Sequence, residues 1–136
     1  ENIALNGLPQ RAEFLCGNAF DLMRKLDAER TRADIVIMDP PPFSPGKTQL
    51  DSARRGYKEL AVRGFRRLEA GGHMVFLSCS HAFTRDMLLD TLAEAAKDAG
   101  TVCRIVHEIH QPQDHPAMLG VPETDYLKGF VMGVSE

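Results

Sequence analysis

At 136 residues the chain is one domain at most, long enough for a core but short for an enzyme that must hold both a cofactor and a base. Its 43% hydrophobic and 26% charged content is that of an ordinary soluble protein, and no apolar stretch approaches a membrane span. The net charge of -3 excludes a global attraction to polyanions, so nucleic-acid binding would have to rest on a local basic face or a partner domain.

Taken in chain order, residues 1–9 read as the last turns of a helix stopped by Gly7 and Pro9, as if the chain opened inside a longer protein. Ala12 to Cys16 is a short apolar run expected as a strand. Phe20 to Arg30 has helical spacing through Phe20, Met23, Leu26 and Asp27. Ala33 to Met38 is rich in branched residues and meets Asp39 and three prolines, which cannot continue a ladder. It reads as a buried central strand delivering Asp39 at its C-terminal end.

Tyr57, Leu60, Ala61, Phe65 and Leu68 then mark a helix with Arg54, Arg55, Lys58, Arg66 and Arg67 on its other face, ended by Gly71-Gly72. His73 to Cys79 reads as a second buried strand. Thr84 is the expected cap of a helix with Leu88, Thr91, Leu92, Ala95 and Ala99 inside and Gly100 as its stop. Val102 to Ile109 and Tyr126 to Val134 alternate as two final strands with no helix between them. The pattern predicts an α/β fold with a mostly parallel sheet and an antiparallel C-terminal strand pair.

Cys16, Cys79 and Cys103 are odd in number and lack metal-ligand spacing, so no metal site is expected. Together with the absence of a signal-like segment they favour a reducing, cytoplasmic setting. Ligands of open α/β sheets bind beyond the carboxyl ends of the strands, which directs attention to Gly17-Asn18, to 39–43 and to Ser78-Cys79-Ser80-His81. An amide, a carboxylate beside a stiff aromatic loop and a thiol suit a planar, hydrogen-bonding substrate.

Asp39-Pro40-Pro41-Pro42-Phe43 after an apolar strand resembles motif IV of methyltransferases that act on nucleobases. With Gly56-Tyr57-Lys58-Glu59-Leu60, Gly71-Gly72, Ser78-Cys79-Ser80, Asp114-His115-Pro116 and Pro122-Glu123-x-x-Tyr126-Leu127-Lys128-Gly129, it resembles one family. These are the bacterial 23S ribosomal RNA large-subunit cytosine-5 methyltransferases, which carry a PUA domain ahead of a Rossmann-like class I catalytic domain. The resemblance runs from Asn6 to the C-terminus. It implies a single, N-terminally truncated catalytic domain over 1–136, S-adenosylmethionine as cofactor and ribosomal RNA as substrate.

Within that resemblance Cys79 matches the motif VI nucleophile and Asp39 the residue that holds the base and hydrogen-bonds its ring nitrogen. Asn18, Phe20, Asp39 and Pro40 would contact the cofactor, although aspartate is more usual than asparagine at the position of Asn18. Pro41 and Phe43 would meet the base; Lys47, Arg54 and Lys58 would meet RNA phosphates. His115, and behind it His81, are further candidates by position, whereas Cys16 and Cys103 read as structural. An alternative is methylation at guanine N7 or an exocyclic amine, with Cys79 incidental; another is a non-catalytic module that binds RNA or protein.

The glycine-rich cofactor loop and the ribose-binding acid of the family's first two strands have no counterpart in this sequence. The family's sheet order puts those strands between Ala12–Cys16 and Ala33–Met38. The chain is therefore expected either to pair its open edges with a second copy, as a homo-oligomer, or to rearrange its first strand.

Overall fold

The computed structural model describes residues 2–7, 12–43 and 49–135. In chain order these form α1 (Asn2–Leu5), α2 (Ala19–Ala28), β1 (Ala33–Met38), α3 (Leu50–Arg67), β2 (Leu68–Ser78), α4 (Arg85–Ala99), β3 (Cys103–Ile109), a 3-10 turn (Pro122–Thr124) and β4 (Lys128–Val134). The sheet order is β1-β2-β4-β3. β1 runs parallel to β2, while β4 lies antiparallel to both β2 and β3. Three strands thus share one direction and β4 is inserted against them, because β3 and β4 are joined without a crossover helix.

The core lies on one face. Met74 and Phe76 of β2 stand opposite Met132 and Phe130 of β4 in the ladder, and all four are buried. Against them pack Tyr57, Leu60, Ala61 and Phe65 of α3 and Leu88, Leu92 and Ala95 of α4. Burying each of the larger side chains contributes roughly 1.5 to 3 kcal/mol. The helix caps follow the sequence: Thr84 Oγ1 accepts from Met87 N, and Gly100 closes α4 at φ 70°.

Four expectations need correction. Residues 12–16 form no strand, and Phe14 is 89% exposed; with no neighbour beside them, a short segment gains nothing from extended pairing. β1 is not buried on both faces: Ile35 and Ile37 are 63% and 66% exposed, because β1 pairs with β2 alone and helices cover one side. β2 begins at Leu68 rather than His73, since Leu68 pairs with Ala33 and the Gly71 turn at φ 77° lies within the strand's course.

Arg67 is the fourth correction, being buried rather than on the solvated face. Its guanidinium donates to the carbonyls of Leu26 and Thr31 at 2.9 Å each, tying α3 to the end of α2. Gly7 does end α1, at φ 61°, whereas Pro9 lies outside the described residues. No helix among the described residues is long and apolar enough to cross a membrane.

Candidate active site

β1 and β2 are adjacent parallel strands, so their C-terminal ends open at the same edge of the sheet. Met38 pairs with Phe76; Asp39 follows Met38 directly, and Cys79 follows Ser78, the last residue of β2. Asp39 and Cys79 therefore stand over neighbouring strands, with Cys79 about 7 Å further along, at roughly 3.3 Å per residue. Cys79 is half-buried with a free thiol; Asp39 is exposed.

The turn carrying Cys79 is held from three sides. The Ser78 hydroxyl donates to Tyr57 Oη at 3.1 Å and accepts from Ser80 N at 3.4 Å. Ser80 Oγ accepts from Phe83 N at 3.3 Å. From β4, Lys128 Nζ donates to the carbonyls of Ser80, at 2.5 Å, and Phe83, at 2.9 Å. Burial lowers the pKa of Lys128, and the nearby Asp125 and Cys79 oppose that shift. A cation is thus spent on fixing the backbone just beyond Cys79, where a charge-assisted bond is stronger than a neutral one.

On the other side of Asp39 a cleft of about 560 Å³ opens between α2 and the end of β1. Asn18, Phe20, Met23, Ile37, Asp39, Pro40 and Phe43 are among its walls. Asn18 caps α2, its Oδ1 accepting from Phe20 N at 2.9 Å, which leaves the Nδ2 donors for a ligand edge. Phe20 and Phe43 sit 5.9 Å apart, and Phe43 lies 4.8 Å from Tyr57. Gly56 permits this: a Cβ there would meet the Phe43 ring at 3.1 Å. Phe43 is thus both a wall of the cleft and a half-buried part of the core.

The remaining sequence candidates divide. Arg54 pairs with Glu94 at 2.6 Å, and Lys58 with Asp98 at 2.9 Å and Glu94 at 3.3 Å, so both tie α3 to α4. Those bonds to Asp98 and then Glu94 raise the Lys58 pKa. The cations expected to track phosphates are therefore engaged with carboxylates of the neighbouring helix. Lys47 lies outside the described residues. His115 stands beside Tyr126, whose ring also faces His81.

Cys103 is half-buried, and burial raises its pKa, which agrees with a structural role; Cys16 is exposed in the unpaired segment and supports no packing. Groups able to hold a metal ion are absent among the described residues. Sequence reasoning missed Tyr57, Gln111 and Lys128 as organisers of the site. Tyr126 and Lys128 have one residue between them at the entrance to β4, a spacing that puts both on one side of an extended chain and was the available signal.

A mixed sheet with a cleft past the end of β1, and an antiparallel strand inserted near the far edge, has the Rossmann-like fold seen in class I methyltransferases. The crystal structure of SMU.776 in complex with SAH superposes with a TM-score of 0.80 at 19% identity, covering 97% of this chain and 34% of that one. No protein-family profile matches. The chain is 38% identical over 135 residues to Ribosomal RNA large subunit methyltransferase I of Klebsiella pneumoniae (strain 342). It is 39% identical over 135 residues to the protein of that name from Yersinia pestis bv. Antiqua (strain Angola). In both cases 98% of this chain and 34% of the relative are covered, so the chain spans about a third of the length of these curated relatives.

Proposed function

We propose that this chain carries the base-binding half of an S-adenosylmethionine-dependent methyltransferase that modifies carbon 5 of a cytosine in ribosomal RNA. The observation that carries the reading is the placement of Cys79 just past β2, beside Asp39 just past the neighbouring parallel β1. The names of the curated relatives support the substrate class.

The cleft fits the adenosine end of the cofactor. Its apolar walls at Phe20, Met23 and Ile37 suit a flat heteroaromatic ring, and the Asn18 amide suits the ring's polar edge. When bound, the cofactor supplies an electrophilic methyl group on sulfur. Cytosine carbon 5 is too weak a nucleophile to accept it unaided. Cys79, as the thiolate, adds to carbon 6 and leaves carbon 5 electron-rich. Asp39 holds the base edge and shares a proton with the ring nitrogen where negative charge develops, while Pro40 and Pro41 keep the loop rigid. After methyl transfer, loss of the carbon-5 proton to a base returns the electron pair to the ring and expels the Cys79 sulfur.

The test is Cys79→Ser in the full-length protein with ribosomal RNA as substrate. Methyl transfer should vanish. Transfer that persists would sink the covalent mechanism and favour another regiochemistry, such as guanine N7 or an exocyclic amine.

A further inference from the structure

Three rings from three separate stretches of chain meet at the end of the sheet where Cys79 lies. Tyr126 is 5.3 Å from His81, tilted by 46°, and 5.7 Å from His115, nearly edge-on at 79°. His81 lies two residues past Cys79; Tyr126 lies two residues before Lys128, which pairs with Ser78 in the ladder. Tyr126 is neither in the hydrophobic core nor among the apolar residues packed against it, and both histidines are exposed. A ring cluster outside the core adds little to folding, yet this one is held firmly.

The backbone beside each histidine is held by its own polar tie. Gln111 bridges the long β3–β4 loop to the root of β4: its Nε2 donates to the His115 carbonyl at 2.9 Å and its Oε1 accepts from Leu127 N at 2.9 Å. The His115 N–H donates to the Pro112 carbonyl at 3.1 Å. On the other side, the two bonds from Lys128 lock the turn that carries His81. A backbone held in this way lowers the cost of ordering the rings when a flat ligand arrives.

We propose that His81, Tyr126 and His115 form a stacking site for a second, unpaired RNA nucleobase that flanks the one presented to Cys79. The inference rests on the RNA-methyltransferase reading and goes beyond it by assigning a subsite. Single-stranded RNA is recognised chiefly by splaying bases onto aromatic and histidine rings, whereas a duplex keeps its bases stacked on one another. The subsite therefore selects target cytosines in loops or locally opened helices over paired ones.

The experiment is a fluorescence titration of the intact protein with a single-stranded RNA decamer carrying 2-aminopurine, and with the same decamer in a duplex. Tyr126→Ala should weaken single-stranded binding about tenfold and remove the quenching that stacking produces, while Tyr126→Phe retains both within about twofold. Duplex affinity should not move. Equal losses on both RNAs, or none on either, would overturn the proposal. Should Tyr126→Ala fail to fold, His81→Ala at its exposed position carries the same contrast, with a loss of about fivefold expected on the single strand alone. Cys79→Ser separates the two readings: it abolishes methyl transfer if the cytosine-5 mechanism holds and leaves the stacking contrast intact in either case.

Discussion

The buried Ser78 hydroxyl donates to the hydroxyl of Tyr57 across 3.1 Å, so that the residue immediately before Cys79 is anchored to the middle of α3. Both side chains are fully buried, and Ser78 also accepts from the backbone of Ser80. The position of the thiol is therefore set by helix packing as well as by the strand that leads to it.

Tyr57→Phe removes the acceptor of that bond and leaves a buried hydroxyl donor without its partner. It should cost about 1 to 2 kcal/mol in urea denaturation at neutral pH. Burial above all raises the Tyr57 pKa beyond its ordinary 10.0, against the opposing hydrogen bonds with Ser78 and the Phe43 backbone. Above pH 10 the unfolded chain ionises this phenol while the native chain keeps the proton. The native state then binds more protons, and the stabilisation is lost as pH rises through the raised native value. Wild type should accordingly lose stability more steeply than Tyr57→Phe above pH 10, and the gap between them should narrow; a gap independent of pH would count against the buried phenol.

Gly129 and Gly64 both face crowded surroundings, but their neighbours differ in kind. A Cβ at Gly129 would stand 2.6 Å from the Phe76 carbonyl oxygen, in the backbone of the paired strand. At Gly64 it would meet the sulfur of Met74 at 2.7 Å and the terminal carbon of Met38 at 3.1 Å, both in flexible side chains. Gly129→Ala should cost upwards of about 3 kcal/mol and Gly64→Ala about 1 kcal/mol, because a methionine end can rotate and a ladder carbonyl cannot. Thermal melts of the two variants check the order; equal losses would contradict it.

Arg54 and Lys58 are bound to Glu94 and Asp98 across the α3–α4 seam. Arg54→Ala should therefore lower the melting temperature slightly, with the difference shrinking at high salt, and leave RNA affinity within about twofold of wild type. A loss of tenfold or more in RNA affinity, with a shallower salt dependence, would restore Arg54 as a phosphate contact.

The places of Asp39 and Cys79 in the fold were legible in the sequence. Asp39, the proline run and Cys79 all sit at places where local chemistry ends a strand: an apolar branched run stops where three prolines remove the ladder donors, and another stops at Ser78-Cys79. Helix caps at Thr84 and Gly100 follow from side-chain and backbone preferences within a few residues of the cap. The order of strands and helices, and the absence of a helix between the last two strands, are likewise properties of local periodicity.

What local sequence could not carry is which side of each element meets another. Ile35 and Ile37 look as core-forming as Met74 and Phe76, yet the first pair is largely exposed and the second fully buried. A strand's apolar content does not state whether a second layer covers it. Arg67 reads as one of five surface cations and is buried under α2, because two backbone carbonyls there need donors. Gln111 and Lys128 likewise look ordinary until folding sets them beside carbonyls many residues away. Sequence by itself determined the elements and the chemistry at their ends, since those arise from neighbours along the chain; only the tertiary structure decided which faces are covered and which polar groups hold the backbone beside the rings and the thiol, since those depend on partners brought close by packing.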